Sequence, residues 1–360
     1  MERIPLARPY WDEECEVAAL FALRSGRWVK GPQAKALGEE FANWCGAQAA
    51  VPCQSGSAAL WAAMRLLGIG PGDEVIVPGL TFIATATAVS LVGATPIFAD
   101  IEEEYWCICP KDAESKITNR TKAIIGVHIF GQPFSSQLRE VCDRHDIALI
   151  EDAAQAHGAE LNNKRIGSIG DLATFSFFPS KNLTVGGDGG AILANTTTHS
   201  NSISAAVNHG LDNTGKYNFL SSNYRLSEIQ CAIGRIQLKH LENWCNRRRE
   251  IAERYSAAFD KSATPSVRDD CKHAWNQYVL KTERATELVS HLQSHNIAST
   301  IHYPIPCHLQ PLYSTHHQHK AGIIPVTEEI CKQLVSIPIF PQLTEEEVDH
   351  IIAAVTTFHF

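Results

Sequence analysis

The chain has 360 residues, 44% of them hydrophobic and 19% charged, with a formal net charge of −8 and a pI near 6.0. That balance describes a globular protein long enough for one large domain and a smaller one. It excludes a nucleic-acid binder, which needs a basic face, and no apolar run reaches the ~20 residues that span a membrane. In chain order, apolar β-branched runs at 49–53, 74–77, 96–100, 123–129, 147–152, 173–178 and 190–194 predict strands. Helical patterns at 57–67, 85–92 and 136–145 lie between them. This alternation predicts an α/β domain over residues 1–245, with a mostly parallel seven-stranded sheet flanked by helices. Beyond it come a long helix at 227–259, a strand at 277–281 and a helix at 287–295. A strand at 299–302 and helices at 327–334 and 344–355 follow. These predict a smaller α+β domain over residues 246–360.

No charged-then-apolar leader opens the chain, so the expected compartment is the cytoplasm. Eleven cysteines is an odd number, without a CxxC, and Cys107 and Cys109 would share one side of a strand. Buried thiols are expected rather than disulfides.

Ligands of parallel sheets bind beyond the carboxyl ends of the strands. The candidate residues fall there. After the first strand, Gln54-Ser55-Gly56-Ser57-Ala58 opens a helix, whose free N–H groups and dipole suit an anion. Gly56 allows close approach and Ser57 adds a hydroxyl, although an ordinary serine N-cap reads the same way. Phe82, after the second strand, offers a ring for stacking or a core side chain. Asp152 ends the fifth strand, where an unpaired carboxylate is costly. A pyridinium N–H⁺ would compensate it; a helix N-cap is the simpler alternative. Glu151 points to the opposite face. Gln155 and His157 follow within a turn, and His157 is equally readable as a structural histidine.

Lys181 lies in Phe177-Phe178-Pro179-Ser180-Lys181, before the run Gly186-Gly187-Asp188-Gly189-Gly190. Its apolar setting would lower the amine pKa and favour imine formation, although most single lysines are surface residues. Ser176, five residues earlier, adds a hydroxyl. A strand-end aspartate and a lysine in a glycine-rich apolar loop together fit a pyridoxal phosphate site, with the lysine carrying the cofactor as a Schiff base. The run His316-His317-Gln318-His319 has no Cys or carboxylate beside it, so it reads as an exposed loop, and no metal is expected. No GxGxxG follows a strand, and neither GxSxG nor HExxH occurs.

In this order the segments resemble the DegT/DnrJ/EryC1/StrS family of PLP-dependent sugar aminotransferases, a fold-type I group. The resemblance runs from Gly26-Arg27-Trp28-Val29-Lys30-Gly31-Pro32 through the stretch from Gly68 to Pro78 and Val127-His128-Ile129-Phe130-Gly131-Gln132-Pro133. It takes in the Asp152 and Lys181 segments and Asn223-Tyr224-Arg225-Leu226-Ser227-Glu228. It ends with His302-Tyr303-Pro304 and the segment from Ser336 to Pro341. By that resemblance Lys181 is the Schiff-base lysine and proton shuttle, and Asp152 partners the ring nitrogen. Gln155 partners the ring hydroxyl, Phe82 stacks on the ring, and Gly56, Ser57 and Ser176 hold the phosphate. Asn223 matches a position that reaches the phosphate of the neighbouring subunit, which implies a homodimer with shared active sites. Ser57 stands where threonine is usual and Asp188 where glutamate is usual; both keep the functional group.

The resemblance implies amino transfer from a donor, L-glutamate, to a keto sugar, nucleotide-linked, in deoxyamino sugar biosynthesis. Rivals on the same scaffold are a PLP-dependent sugar dehydratase, an aminotransferase of a free cyclitol, and a non-catalytic regulatory homologue. Family dehydratases carry histidine at the lysine position, so Lys181 counts against the first. A regulatory homologue usually loses the lysine or the aspartate, and this chain keeps both.

Overall fold

The computed structural model describes residues 2–316 and 320–360. Residues 317–319 and the His316 side chain, hence the histidine run, lie outside the described residues. The strands are β1 (Ala49–Cys53), β2 (Glu74–Pro78), β3 (Thr95–Ala99), β4 (Thr121–Val127), β5 (Ala148–Asp152), β6 (Glu160–Leu161) and β7 (Lys164–Arg165). They continue as β8 (Leu172–Ser176), β9 (Gly190–Ala194), β10 (Cys271–Lys272), β11 (Tyr278–Lys281), β12 (Thr300–Ile301) and β13 (Leu334–Ile337). The helices are α1 (Glu13–Arg24), α2 (Pro32–Cys45), α3 (Gly56–Leu66), α4 (Ala84–Leu91), α5 (Pro110–Ser115) and α6 (Gln137–His145). After them come α7 (Thr197–Ala206), α8 (Glu228–Ala258), α9 (Ala285–Ser294), α10 (Pro311–His316), α11 (Pro325–Ile330) and α12 (Glu345–Thr356).

Seven strands form one sheet in the order β1-β9-β8-β5-β4-β2-β3. All run parallel except β9, which is antiparallel to both β1 and β8. The sheet is apolar on both faces, as a helix-covered parallel sheet must be. On β2, Val75 and Val77 pack into a cluster with Ala59, Leu60 and Met64 of α3. Ile76, between them, packs oppositely with Ile124, Phe134 and Leu138. Helix starts follow side-chain caps: Asp12 for α1, Ser55 for α3, Ser227 for α8 and a Thr344–Glu347 capping box for α12.

The buried Glu228, first residue of α8, accepts the Gly31, Gln33 and Ala34 N–H groups at 2.8, 2.7 and 3.1 Å. An anion there answers the positive end of α2. A Cβ at Gly31 would collide with that carboxylate, which explains the glycine. The Glu151 carboxylate works similarly, on the face opposite Asp152. It accepts from Gly167, Ile169 and Gly170 N–H and pairs with His128 Nε2 at 3.1 Å. These bonds hold the turn that leads into β8.

A second sheet, β11-β13-β12, is antiparallel. It shares a core with Ile251 and Tyr255 of α8 and with Ile351 and Val355 of α12. We propose the division at residues 1–245 and 246–360, with the extreme N-terminus joining the second body. Ile4 lies in that second core and exchanges backbone bonds with Asn296 and Ala298, 2.9 Å each.

The long α8 crosses this division, and Arg248 is buried on it. Its Nη1 donates to Trp275 O at 3.0 Å and Ile339 O at 2.5 Å. Burial lowers its pKa to about 10. Arg248→Met strands those carbonyls, and we expect a stability loss of roughly 2–3 kcal/mol, read as a lower urea midpoint at unchanged slope. An unmoved midpoint would remove the residue from this role.

Three expectations change. The strand expected at 123–129 stops at Val127; Ile129–Gly131 is a 3₁₀ turn, with Phe130 at φ 58°. The helix expected at 327–334 stops at Ile330, and Leu334 opens β13, the middle strand of the second sheet. Two strand partners, both much earlier in the chain, flank that segment in the sheet and override its local helical pattern. Helices α1, α2, α5, α7 and α10 add to the expected set; α1 announces itself by its Asp12 cap and acidic first turn. All eleven cysteines are free. Among the described residues no helix is long and apolar enough to cross a membrane.

Candidate active site

The carboxyl ends of β1, β2, β4, β5 and β8 open onto one cavity of about 500 Å³. Gly56, Ser57, Phe82, Asp152, Gln155, Ser176 and Lys181 all line it. The parallel strands end on one side of the sheet, so residues distant in sequence converge there. Asn223 lies outside the cavity and is exposed.

At the β1 end the serine ambiguity resolves by position. Ser55 is the N-cap, accepting Ala58 N–H at 3.1 Å. Ser57 stays exposed in the cavity, and the Gly56 and Ser57 N–H groups belong to the first turn, where the helix offers no acceptor. A Cβ at Gly56 would stand 2.9 Å from Ser176 Cβ, so only glycine lets β8 approach this turn. Gly190 is held as closely: its Cβ would meet Gly56 N at 2.7 Å and Phe175 O at 2.5 Å. The result is a tight cradle of backbone N–H groups and two serine hydroxyls.

At the β5 end Asp152 is buried. Its Oδ2 accepts from Thr85 Oγ1 at 2.7 Å and Oδ1 from Ala154 N–H at 3.3 Å. Burial pushes its carboxyl pKa up; those two bonds and the Lys181 charge pull it back. Thr81 backs Thr85 at 2.8 Å. Lys181 has intermediate exposure and faces the same cavity. Burial lowers its pKa to about 8, opposed by the Asp152 charge.

Gln155 is fixed at both ends of its amide. Oε1 accepts Phe130 N–H at 2.5 Å, and Nε2 donates to Tyr303 Oη at 3.2 Å. The left-handed backbone at Phe130 aims that N–H, a strained conformation of the kind found at functional sites. Phe82 is 56% exposed, so it is no core residue, and its ring lies 6.2 Å from that of Tyr303. His157 is the reverse. It is fully buried against Phe41, Phe175 and Phe177, outside the cavity lining, and burial lowers its pKa to about 3. It is a neutral packing histidine behind the Lys181 loop.

Thr85, Gln277, His302 and Tyr303 also line the cavity and were not singled out as site residues from the sequence. Thr85 had a local signal, one turn after Phe82 on the same strand-to-helix connection. Gln277, His302 and Tyr303 come from the second sheet and its edges; the last two stand in the matched His302-Tyr303-Pro304 motif, whereas no local pattern marks Gln277. Among the described residues no cluster of His, Cys, Asp or Glu is arranged to hold a metal.

Comparison with known proteins agrees with this geometry. Residues 9–356 match the model of the DegT/DnrJ/EryC1/StrS aminotransferase family. The dTDP-3-amino-3,4,6-trideoxy-α-D-glucose transaminase of Streptomyces venezuelae is 39% identical over 346 residues, 95% of this chain and 91% of that protein. The dTDP-3-amino-3,6-dideoxy-α-D-galactopyranose transaminase of Aneurinibacillus thermoaerophilus is 38% identical over 97% of this chain and 96% of its own. The crystal structure of S. venezuelae DesV, in complex with a ketimine intermediate, superposes with a TM-score of 0.94. It is 37% identical and covers 99% of this chain and 98% of its own.

Proposed function

The chain belongs to the DegT/DnrJ/EryC1/StrS aminotransferase family and is an aminotransferase, and we propose that it uses pyridoxal phosphate to move an amino group from L-glutamate to a nucleotide-linked keto sugar. The observation that carries this is the shared cavity. The Lys181 amine, the Asp152 carboxylate and the first-turn N–H groups of α3 face one space, as attachment point, ring-nitrogen partner and phosphate cradle must.

The residues fit the cofactor. Asp152 is a buried carboxylate whose own surroundings disfavour its charge, so a cation opposite it gains from pairing. The Gly56–Ser57 turn, with Ser176 pressed against it, suits a phosphate dianion. Phe82 presents an uncovered ring, and Gln155 holds a fixed amide beside the cavity. When bound, the cofactor supplies an electron sink that acidifies the donor's α-carbon. Lys181 anchors it; once freed, Nζ takes the α-proton of the donor and delivers a proton to the carbon that is to bear the new amino group. Asp152 keeps a positive charge paired inside the cavity. Asn223 sits outside the cavity and exposed, which supports its reaching a neighbouring subunit's site in a homodimer.

The lowered Lys181 pKa sets a pH dependence. Only the unprotonated amine attaches a carbonyl. With a pKa of about 8 rather than 10.5, attachment of pyridoxal phosphate to apoprotein accelerates roughly tenfold per pH unit up to about pH 8, then levels. Stopped-flow absorbance from pH 6 to 10 reads this. A rate still climbing at pH 10 would return Lys181 to an ordinary exposed lysine.

The substrate class is tested with a panel of nucleotide sugars scored by mass. The reverse direction is convenient, with 2-oxoglutarate as acceptor. It includes dTDP-3-amino-3,6-dideoxy-α-D-galactose and dTDP-3-amino-3,4,6-trideoxy-α-D-glucose, beside uridine-linked amino sugars and a free amino cyclitol. Turnover of one or more nucleotide sugars is expected. Turnover of the cyclitol alone would replace this reading.

A further inference from the structure

The second sheet brings three side chains together at the cavity: Gln277 just before β11, His302 just after β12, and Ser336 on β13 between them. Gln277 and His302 line the cavity, while Ser336 is 1% exposed and sits behind both. The Ser336 hydroxyl donates to Gln277 Oε1 at 3.0 Å, and His302 Nδ1 lies 2.8 Å from the same Oγ. A hydroxyl has one proton. With that proton committed to a carbonyl oxygen, Oγ can only accept from the imidazole, so Nδ1 carries the ring hydrogen. Burial, and then the Lys181 charge, lower the His302 pKa to about 4. At neutral pH the ring is therefore uncharged with a single N–H, and Nε2 is a bare acceptor. Nε2 has no hydrogen-bond partner among the described residues and is not sealed from solvent.

We infer that His302 Nε2 accepts a hydrogen bond from a hydroxyl beside the reacting carbon of the sugar, which makes His302 a specificity-determining residue. A neutral ring with an outward lone pair suits a hydroxyl and disfavours a carboxylate or phosphate oxygen, which cannot donate. The ring lies 5.2 Å from that of Tyr303, whose hydroxyl meets Gln155 and whose ring faces Phe82, which places it toward the reacting end of the cavity rather than at the nucleotide. Ser336 is the positioning residue: it fixes the tautomer without touching substrate. The inference rests on the sugar-nucleotide reading above, and its test separates the two.

The first readout is the tautomer. In holoenzyme labelled with ¹⁵N-histidine, His302 is assigned by difference from His302→Phe. Nδ1 is expected at a protonated shift and Nε2 at an unprotonated one, a preference that Ser336→Ala erases. Nε2 then moves on adding the 3,6-dideoxy amino sugar, moves with the trideoxy sugar as well only if the hydroxyl is at C2, and stays in place on adding dTDP alone. The second readout is kinetic. His302→Phe loses roughly tenfold in kcat/KM. The loss falls on the 3,6-dideoxy sugar alone if the hydroxyl is at C4 and on both sugars if it is at C2. Ser336→Ala shifts the same constant in the same direction by less. A protonated Nε2, an Nε2 unmoved by the sugars, or undiminished rates on both would overturn the inference. If wild type converts neither sugar, that failure belongs to the sugar-nucleotide reading. The tautomer then decides for His302 alone, a protonated Nε2 sinking it and a bare one upholding the acceptor.

Discussion

Lys181→Ala is expected to fold normally and to lose at least about 10³-fold in turnover. The loss follows from chemistry that nothing else in the cavity supplies: among its lining residues Lys181 is the sole amine. His302, with its pKa lowered to about 4, is too weak a base to replace it. Stability should change by less than about 1 kcal/mol, because removing a desolvated amine offsets the lost packing of its stem. Circular dichroism and thermal melts check the fold, and a coupled glutamate assay checks the rate. A variant that turns over at wild-type rate sinks the assignment. The same variant tests the shared site. Mixed with Asn223→Ala subunits and allowed to exchange, it should regain activity in dimers where one site receives both native residues. No recovery after proven exchange would make each site self-contained.

Asp152→Asn should keep the fold and lose about 10²–10³-fold in kcat, the scale of removing one preorganised electrostatic partner. The side chain is nearly isosteric: its one oxygen can keep the Ala154 N–H, and the Thr85 hydroxyl, which can also accept, can turn to meet the new NH2. What disappears is the charge. Because burial already raises the Asp152 pKa, a cation bound opposite it should stabilise the wild type strongly. The thermal shift on adding pyridoxal phosphate should therefore be larger for wild type than for the variant. Equal shifts together with an unchanged kcat would dissociate Asp152 from the cofactor and leave it a strand-end cap.

Most of the candidate residues were legible in the chain as cavity-lining positions because a parallel sheet sets a simple rule. Strand ends are recognisable locally, and whatever follows them faces the ligand side. Gly56, Phe82, Asp152, Ser176 and Lys181 were found that way, and all line the cavity. Two ambiguities needed coordinates. Whether Ser55 or Ser57 caps α3 decides which hydroxyl is free, and the answer depends on a backbone angle at Ser55. Whether His157 faces the cavity or the core depends on where Phe41 of α2 packs, in a helix absent from the sequence reading.

The second sheet was the less legible half. Its middle strand, Leu334–Ile337, is only four residues and pairs with two segments that both lie far upstream in the chain. The bond from Gln155 to Tyr303, 148 positions away, has no local signal in the chain.

By itself, the order of residues determined the strands of the first sheet, the strand-end placement of the charged and hydroxyl groups, and the apolar, glycine-rich setting of Lys181. Those are properties of periodicity and of side-chain chemistry, which short segments carry. Only the tertiary structure decided which of these groups share a cavity and which are disfavoured by burial from carrying charge. Protonation depends on burial and on partners, and both are set by chain segments that meet only when the two sheets pack together.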